Sequence, residues 1–249
     1  MTYKIIATGS TGNAVLINDQ ILVDCGVTFK KIEPYLTQIR LILTTHRHSD
    51  HFKPSTVGMI TKRRPAIRWG CCEWMVEPLI EAGVNRRQID VYEPGYYYDY
   101  QDFRLKAVTL HHNVPNCGYK IHDLKTDERL FYATDTGDLD GIDAEDYDLY
   151  LIEANHSTEE LTERIKEKLE AGEYTYEYAA AENHLSKEQA IDWIVKNAGP
   201  NSHIQFLHQH KGRSRRWLQH TGKYSRHSGR TARWMRTSLR RINTFTFTC

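Results

Sequence analysis

The segment Thr45-His46-Arg47-His48-Ser49-Asp50-His51 decides the fold. It overlaps the end of Leu41-Ile42-Leu43-Thr44-Thr45, an apolar run that predicts a buried strand. Three histidines and one aspartate within residues 46–51 place nitrogen and oxygen donors in a single loop. Imidazole and carboxylate together suit Zn²⁺, Mn²⁺ or Fe rather than Ca²⁺ or Mg²⁺. The segment therefore predicts a transition-metal site directly after a buried strand.

The spacing within this loop divides its donors into two groups. In an extended chain alternate side chains share a face, so His46 and His48 can bind one ion. Asp50 and His51 lie beyond the bend and can serve a second ion. The alternative is a polar surface loop that happens to be rich in histidine.

Composition separates a body from a basic tail. The chain has 249 residues, 40% of them hydrophobic, and a net charge of +1, which fits one compact domain with an appendage. Residues 211–249 contain eleven of the 33 Lys and Arg residues and no Asp or Glu, so residues 1–210 carry 22 basic and 32 acidic residues. We expect one domain over 1–210 and a flexible or atypical tail over 211–249. The tail can contact nucleic-acid phosphate, be disordered, or reflect a shifted reading frame.

The sequence also bears on the compartment. It contains no apolar segment approaching the roughly 20 residues that span a bilayer, and its start does not resemble a secretory signal. The five cysteines form no CxxC pair. These features predict a cytoplasmic protein without a membrane partner, with reduced cysteines that pack in the core. They leave the oligomeric state open.

Strand and helix patterns predict an α+β fold. Ser157 and Ser186, each followed three residues later by Glu or Gln, predict two capped helices, which Gly172 and Gly199-Pro200 end. Two packed sheets with helices outside best accommodate this order. The predicted strands are 4–8, 14–17, 21–23, 41–45, 103–110, 118–121, 129–133, 149–152 and 204–207, with weaker helices at 29–36 and 73–82.

The histidine motif resembles the HxHxDH signature of metallo-β-lactamase-fold hydrolases, and other segments match in the expected order over residues 3–210. The combination resembles the YycJ/WalJ branch, whose members are described as DNA exonucleases, and more distantly RNase Z. The resemblance implies an αββα sandwich of two packed sheets flanked by helices. The additional matching segments are Gly9-Ser10-Thr11-Gly12-Asn13-Ala14, Val23-Asp24-Cys25-Gly26, Ala133-Thr134-Asp135-Thr136-Gly137 and Leu151-Ile152-Glu153-Ala154-Asn155-His156.

The resemblance also implies two divalent metal ions, Zn or Mn, and ligands for each. The first ion would be bound by His46, His48 and a histidine seven residues before Gly118-Tyr119, which selects His111. His112 would then be a neighbour or substrate contact. Asp135 would bridge both ions.

The second ion would be bound by Asp50, His51, the bridging Asp135 and a late histidine. His208 follows the last predicted strand and occupies that position, with His210 as the fallback because the local pattern is His-Gln-His.

Further residues gain roles from the same resemblance. Asp50 would orient the attacking hydroxide, and His184 in His184-Leu185-Ser186 would protonate the leaving oxygen or hold the phosphate. Ser186 would contact substrate at a helix N-terminus, where anions bind favourably. Asp24 and Glu153 would orient ligand histidines by accepting their distal N–H groups. The alternative for both carboxylates is the capping of a turn.

The leading hypothesis is a two-metal phosphodiesterase, a 5′–3′ exonuclease-like enzyme that hydrolyses DNA with metal-bound hydroxide. A cyclic-nucleotide or other small phosphodiester hydrolase is the nearest alternative, and a thioester or lactam hydrolase is more distant. A nucleic-acid-binding protein with a structural metal is the non-enzyme alternative. The tyrosines of 96–100 and 174–178 can stack on bases or line a substrate channel, although a half-buried hairpin explains the first group as well.

Overall fold

The computed structural model describes residues 1–173, 175 and 177–209. Twelve strands in this part of the chain form two six-stranded sheets, and the strands of each sheet follow sequence order across it. The first sheet contains β1 (Tyr3–Ala7), β2 (Ala14–Ile17), β3 (Ile21–Val23), β4 (Leu41–Thr44), β5 (Arg68–Cys72) and β6 (Ile89–Tyr92). The second contains β7 (Tyr97–Asp99), β8 (Phe103–Leu110), β9 (Asn116–Asp123), β10 (Arg129–Ala133), β11 (Leu149–Glu153) and β12 (His203–Leu207).

Both sheets are mixed. Strands β3 to β6 are parallel, and β1 and β2 are added antiparallel at one edge. Strands β10 to β12 are parallel, whereas β7, β8 and β9 pair antiparallel with one another and β9 with β10. Because β3, β4, β10, β11 and β12 end at loops that carry polar side chains, those loops can meet at one edge of the sandwich.

Helices cover the outer faces of both sheets. The central core lies between the sheets and contains Val23, Leu43, Tyr119 and Leu151. The alternate residues of the same strands, such as Ile42 and Ile152, face outward into two further cores under helices. The helices are α1 (Phe29–Ile32), α2 (Pro54–Arg63), α3 (Val76–Glu81), α4 (Thr158–Glu170), α5 (Glu177–Asn183) and α6 (Lys187–Asn197). The predicted αββα sandwich is therefore confirmed.

Of the two helix caps predicted from the sequence, one forms and the other does not. Ser186 and Gln189 form the predicted capping box at the start of α6. Ser157 precedes α4 as predicted, but its side chain makes no capping hydrogen bond. The backbone N–H and the hydroxyl of Thr158 instead donate to Glu188, so a tertiary contact replaces the local one. No helix within the described residues is long and apolar enough to cross a membrane.

Candidate metal centre

The loop after β4 delivers four polar side chains to the edge between the sheets. The backbone N–H of His51 donates to the carbonyl of His48 at 2.9 Å, so the loop bends between these residues. Its close packing explains Gly26, because a Cβ there would collide with the Asp50 backbone. His46 and His51 are buried, whereas the Asp50 side chain is 20% exposed. The bend therefore separates His46 and His48 from Asp50 and His51, as the spacing predicts.

A first cluster forms where this loop meets the loops after β8 and β10. Nε2 of His46 lies 3.1 Å from Nδ1 of His48, which lies 3.3 Å from Nε2 of His112. Oδ2 of Asp135 lies 3.8 Å from His46 Nε2 and 3.9 Å from His112 Nε2. The four donor atoms all lie within 4.8 Å of one another.

His112, rather than His111, contributes the third imidazole. The side chain of His112 is 2% exposed, and its Nδ1 lies 3.1 Å from the carbonyl of Asn183. His111 is 71% exposed, and its Nδ1 lies 2.9 Å from Asp138 Oδ2, outside the cluster. The structure therefore leaves His111, the ligand expected from the sequence, outside the cluster and places His112 in it. Adjacent side chains after a strand point in different directions, and the carbonyl of Asn183, remote in sequence, anchors the second of the two.

A second cluster combines Asp50, His51, Asp135 and His208. Nε2 of His51 lies 3.0 Å from Asp135 Oδ1 and 3.7 Å from Asp50 Oδ2. Nε2 of His208 lies 3.3 Å from Asp50 Oδ2 and 3.6 Å from Asp135 Oδ1. Asp135 thus presents one oxygen to each cluster, the arrangement expected of a bridging carboxylate. His210, the fallback, lies outside the described residues.

These distances fit divalent cations. Ligands about 2.0–2.2 Å from a tetrahedral ion lie roughly 3.3–3.6 Å from one another, close to the donor separations in both clusters. Oδ1 of Asp135 is buried without a well-formed hydrogen bond among the described residues. A buried carboxylate oxygen in that position favours a cation. The donor set, imidazole with carboxylate, suits zinc or manganese.

Buried partners anchor the distal nitrogens of several histidines. Nδ1 of His51 lies 2.7 Å from Asp24 Oδ2, and Nδ1 of His208 lies 3.1 Å from Glu153 Oε1. The structure thus places Asp24 and Glu153 where they can accept these N–H groups. Such partners fix the tautomer, so that Nε2 of each ring presents its lone pair to the cluster.

Backbone strain is concentrated at the same place. Asp24, Asp135 and His208 have positive φ angles of 61°, 56° and 48°. Such values are uncommon for residues other than glycine, although Asp, Asn and His tolerate them best. They occur at functional sites when the surrounding structure enforces them. Here each places a polar side chain one or two residues after the end of a strand.

The buried carboxylates dominate the electrostatics of the second cluster. Burial alone would lower the pKa of His51, but Asp135 and Asp24 raise it well above its ordinary value. Likewise, burial opposes protonation of His208, while Asp135, Asp50 and Glu153 raise its pKa to about 10. Burial would raise the pKa of Asp135, but His51 and His208 hold it well below its usual range. The carboxylates of the cluster therefore stabilise positive charge, which either protons or cations can supply.

His184 lies beside both clusters. Its Nδ1 lies 2.7 Å from Glu153 Oε1, its ring stacks on His208 at 5.3 Å, and its side chain is 20% exposed. Burial lowers and Glu153 raises its pKa, with a net increase. Ser186 is buried, and its hydroxyl accepts the Gln189 N–H as a helix cap. The structure thus brings His184 to the cluster but gives Ser186 a capping contact.

Sequence reasoning assigned no role to Asn13, although this residue contacts the second cluster. Asn13 is buried, and its Nδ2 lies 2.8 Å from His51 Nε2 and 3.4 Å from Asp50 Oδ2. Its Oδ1 accepts the N–H of Gly9, which orients the amide nitrogen toward the cluster. The Gly9–Asn13 turn was the available signal, but only its resemblance to the family was recognised.

The remaining predicted groups lie apart from the clusters or outside the description. Cys25, Cys71, Cys72 and Cys117 are buried free thiols, consistent with core packing. Tyr98 and Tyr100 pack against the central core, whereas Tyr96 and Tyr97 are exposed. The basic tail (211–249), Tyr174 and Tyr176 lie outside the described residues.

A family model described as a beta-lactamase superfamily domain matches residues 19–208. The chain belongs to the beta-lactamase superfamily. It is 28% identical over 225 residues to a protein named exodeoxyribonuclease WalJ from Streptococcus pneumoniae, covering 79% of this chain and 77% of the relative. It is 24% identical over 180 residues to exodeoxyribonuclease YycJ from Bacillus anthracis, covering 64% of each. The predicted family is confirmed, and with it the prediction of a hydrolytic enzyme.

Solved structures agree on the fold of this superfamily member. The metallo-beta-lactamase fold protein YhfI from Bacillus subtilis superposes with a TM-score of 0.64 at 15% identity, covering 84% of this chain and 86% of that one. The short form of human tRNase Z superposes with a TM-score of 0.61 at 16% identity, covering 84% and 92%. At such identities the likeness concerns the fold alone.

Proposed function

We propose that this chain is a two-metal phosphodiesterase that degrades DNA from an end. The observation that carries the proposal is that the first and second clusters share Asp135. They are two of three four-donor groups around this residue, and the third joins Asp135 and His208 to Glu153 and His184. Two relatives named exodeoxyribonucleases support DNA as the substrate. We assign zinc or manganese as the metal because the donors are imidazoles and carboxylates. We assign the cytoplasm as the compartment because the cysteines form no disulfide pattern.

The proposed ligands follow the geometry. His46, His48, His112 and Asp135 would hold the first cation, and Asp50, His51, Asp135 and His208 the second. When bound, such a pair supplies a shared water of lowered pKa and positive charge beside the phosphodiester. His112 replaces His111 in this proposal because its Nε2 reaches the cluster.

We assign two side chains a role toward the substrate. Asp50 is the more exposed carboxylate of its cluster and lies where it can orient the attacking water. His184 is held by Glu153 and remains partly exposed, so its distal nitrogen can give a proton to the leaving oxygen. Asp24 and Glu153 keep the ligand rings in place.

A substrate panel tests the proposal. End-labelled single- and double-stranded DNA, a cyclic nucleotide, bis-p-nitrophenyl phosphate and a chromogenic lactam would each be incubated with the metal-loaded protein. Metal content would be measured on the same sample. We expect about two equivalents of metal per chain and progressive shortening of DNA from the 5′ end. Phosphorothioate linkages at one end or the other would report the polarity.

His48→Ala and His122→Ala form a matched pair. His48 lies in the first cluster, whereas His122 pairs with Asp127 on the surface. We expect His48→Ala to lose more activity than the roughly 10- to 100-fold typical of outer metal partners, and His122→Ala to keep it. Turnover of only cyclic nucleotides or lactams would favour the alternative hydrolases. Bound metal with no turnover would favour a structural site.

A further inference from the structure

The outer face of β7, β8 and β9 carries a group of cations around an exposed tyrosine. Tyr97 pairs in register with Lys106, and Lys106 with Lys120 on the next strand. Arg104 lies two residues from Lys106 along β8, so its side chain points to the same face. We call Tyr97, Arg104, Lys106 and Lys120 the tyrosine–lysine patch.

Cations contact the ring of Tyr97 directly. Nζ of Lys106 lies 4.9 Å and Cζ of Arg104 lies 5.6 Å from the ring centroid. Both distances fall within the range of cation–π attraction. Tyr97 is nevertheless 56% exposed and its neighbour Tyr96 is 61% exposed. The ring therefore keeps accessible surface on which a planar group can stack.

The positive charge of the patch is partly compensated, and least so at Lys106. Arg104 forms an ion pair with Asp99, whereas no carboxylate among the described residues lies within ion-pair distance of Lys106 or Lys120. The ammonium of Lys120 donates to the carbonyl of Asp143, a neutral partner. Burial and the charge of Lys106 lower the pKa of Lys120, whereas the nearby charge of Asp143 raises it. Two lysines opposed on adjacent strands repel each other, so an anion between or above them would be stabilised.

We propose that the tyrosine–lysine patch binds single-stranded DNA, with Tyr97 stacking on a base and Arg104 and Lys106 contacting phosphates. Lys120 is only 9% exposed and adds positive charge beside them. Exposed aromatic rings interleaved with cations are the common device for sequence-independent binding of single strands. Residues 1–210 contain more acidic than basic residues, so a group of three cations differs from the average charge of this part of the chain.

The position of the patch suits a strand that leads to the proposed catalytic centre. Strand β8 runs from Phe103 toward the loop that carries His112. His112 lies six positions after Lys106, which is at most about 20 Å of extended chain. The proposal rests on the nuclease function for its biological sense, but binding can be measured without turnover. A substrate only one nucleotide long would not reach the patch.

Binding of a fluorescent, phosphorothioate-linked dT20 to the full metal-loaded chain tests this inference. The variants are Tyr97→Ala, Tyr97→Phe and Lys106→Gln. Lys4→Gln is the matched control, because Lys4 lies over the ring of Tyr35 at 4.7 Å on the other sheet. We expect Tyr97→Ala to weaken binding about tenfold and Tyr97→Phe to bind as the parent does. Lys106→Gln should reduce the slope of log affinity against log salt by about one.

Hydrolysis of bis-p-nitrophenyl phosphate, measured in parallel, separates the two proposals. Unchanged turnover of this small substrate, with weaker dT20 binding in the patch variants, supports the inference. Equal effects of Lys106→Gln and Lys4→Gln, or unchanged binding in both Tyr97→Ala and Lys106→Gln, would overturn it. If the parent protein hydrolyses no phosphodiester at all, the nuclease function fails while the binding comparison still decides the role of the patch.

Discussion

The two proposed cation positions share Asp135 but are supported differently. The first relies on three imidazoles, and its outer contacts are modest: Nδ1 of His46 lies 3.0 Å from the Thr45 hydroxyl, and Nδ1 of His112 faces a backbone carbonyl. The second includes a carboxylate of its own, Asp50, and two anionic side chains, Asp24 and Glu153, support its histidines.

This difference leads to an expectation about which residues each proposed cation would depend on. Counting formal charge, the first position has one carboxylate and the second has two. The second also lies against the buried carboxyl groups of Asp24 and Glu153, and Asp24 together with Asp135 raises the pKa of His51. We therefore expect the first position to respond mainly to changes in its ligands, and the second also to changes in the surrounding shell.

Loss of the shared ligand Asp135 should impair both cation positions and have the largest effect on metal content and activity. Asp135→Asn keeps a side chain that tolerates the positive φ of 56° but removes the charge that faces both clusters. We expect metal content to fall at both positions and activity to fall by more than about 100-fold. Metal analysis and turnover of labelled DNA measure this. Asp138→Asn, on an exposed carboxylate three residues later, is the control. Retention of two metals by Asp135→Asn would contradict the bridging assignment.

A comparison of His112→Ala with His111→Ala tests the first cation position separately from the second. We expect His112→Ala to lower the affinity for one of the two cations and reduce turnover more than tenfold, since it removes a buried donor. His111→Ala should retain both cations because its ring is exposed and bonded to Asp138. Calorimetric titration of the stripped protein resolves the two sites. The reverse ranking of the variants would restore the assignment made from sequence.

The donors in the loop after β4 could be predicted from the sequence because they are contiguous. Residues 46–51 form one loop after one strand, and their spacing alone separates two pairs of donors. The remaining donors are single residues after β8, β10 and β12. Tertiary contacts determine the directions of their side chains. The carbonyl of Asn183 contacts His112 and orients its ring toward the cluster, and no local sequence pattern predicts this contact.

The fold shows the same division between local and tertiary information. Strands β4, β8 and β10 were predicted nearly to their ends, because they are long or strongly apolar. Strand β5 (Arg68–Cys72) and helix α2 (Pro54–Arg63) were not predicted. The strand begins with Arg and contains Gly70, whose missing Cβ makes room for the ring of Tyr92, a contact visible only in three dimensions.

Changes behind the ligands should affect the second position. Asp24 is fully buried and accepts hydrogen bonds from the Thr45 backbone at 2.9 Å and from His51 at 2.7 Å. Asp24→Asn directs an N–H group at one of these donors while tolerating the φ of 61°. We expect a 10- to 100-fold loss of affinity for one cation and about 1–3 kcal/mol of lost stability. Titration and denaturant unfolding measure these. Equal loss at both positions would show that Asp24 supports the whole centre.

The smallest expected effect concerns Asn13, which touches the second cluster through its amide alone. Asn13→Ala removes the neutral donor beside Asp50 and His51, so we expect a loss of about tenfold or less in affinity at that position. Asn13→Asp places a carboxylate there and should recover cation binding, because an added negative charge attracts the ion. Asn197→Ala, which removes an amide on α6 that bonds the Trp193 carbonyl, is the matched control. If Asn13→Ala instead strengthens binding, the amide competes with the cation for the His51 lone pair, and our expectation that Asn13 supports cation binding would be wrong.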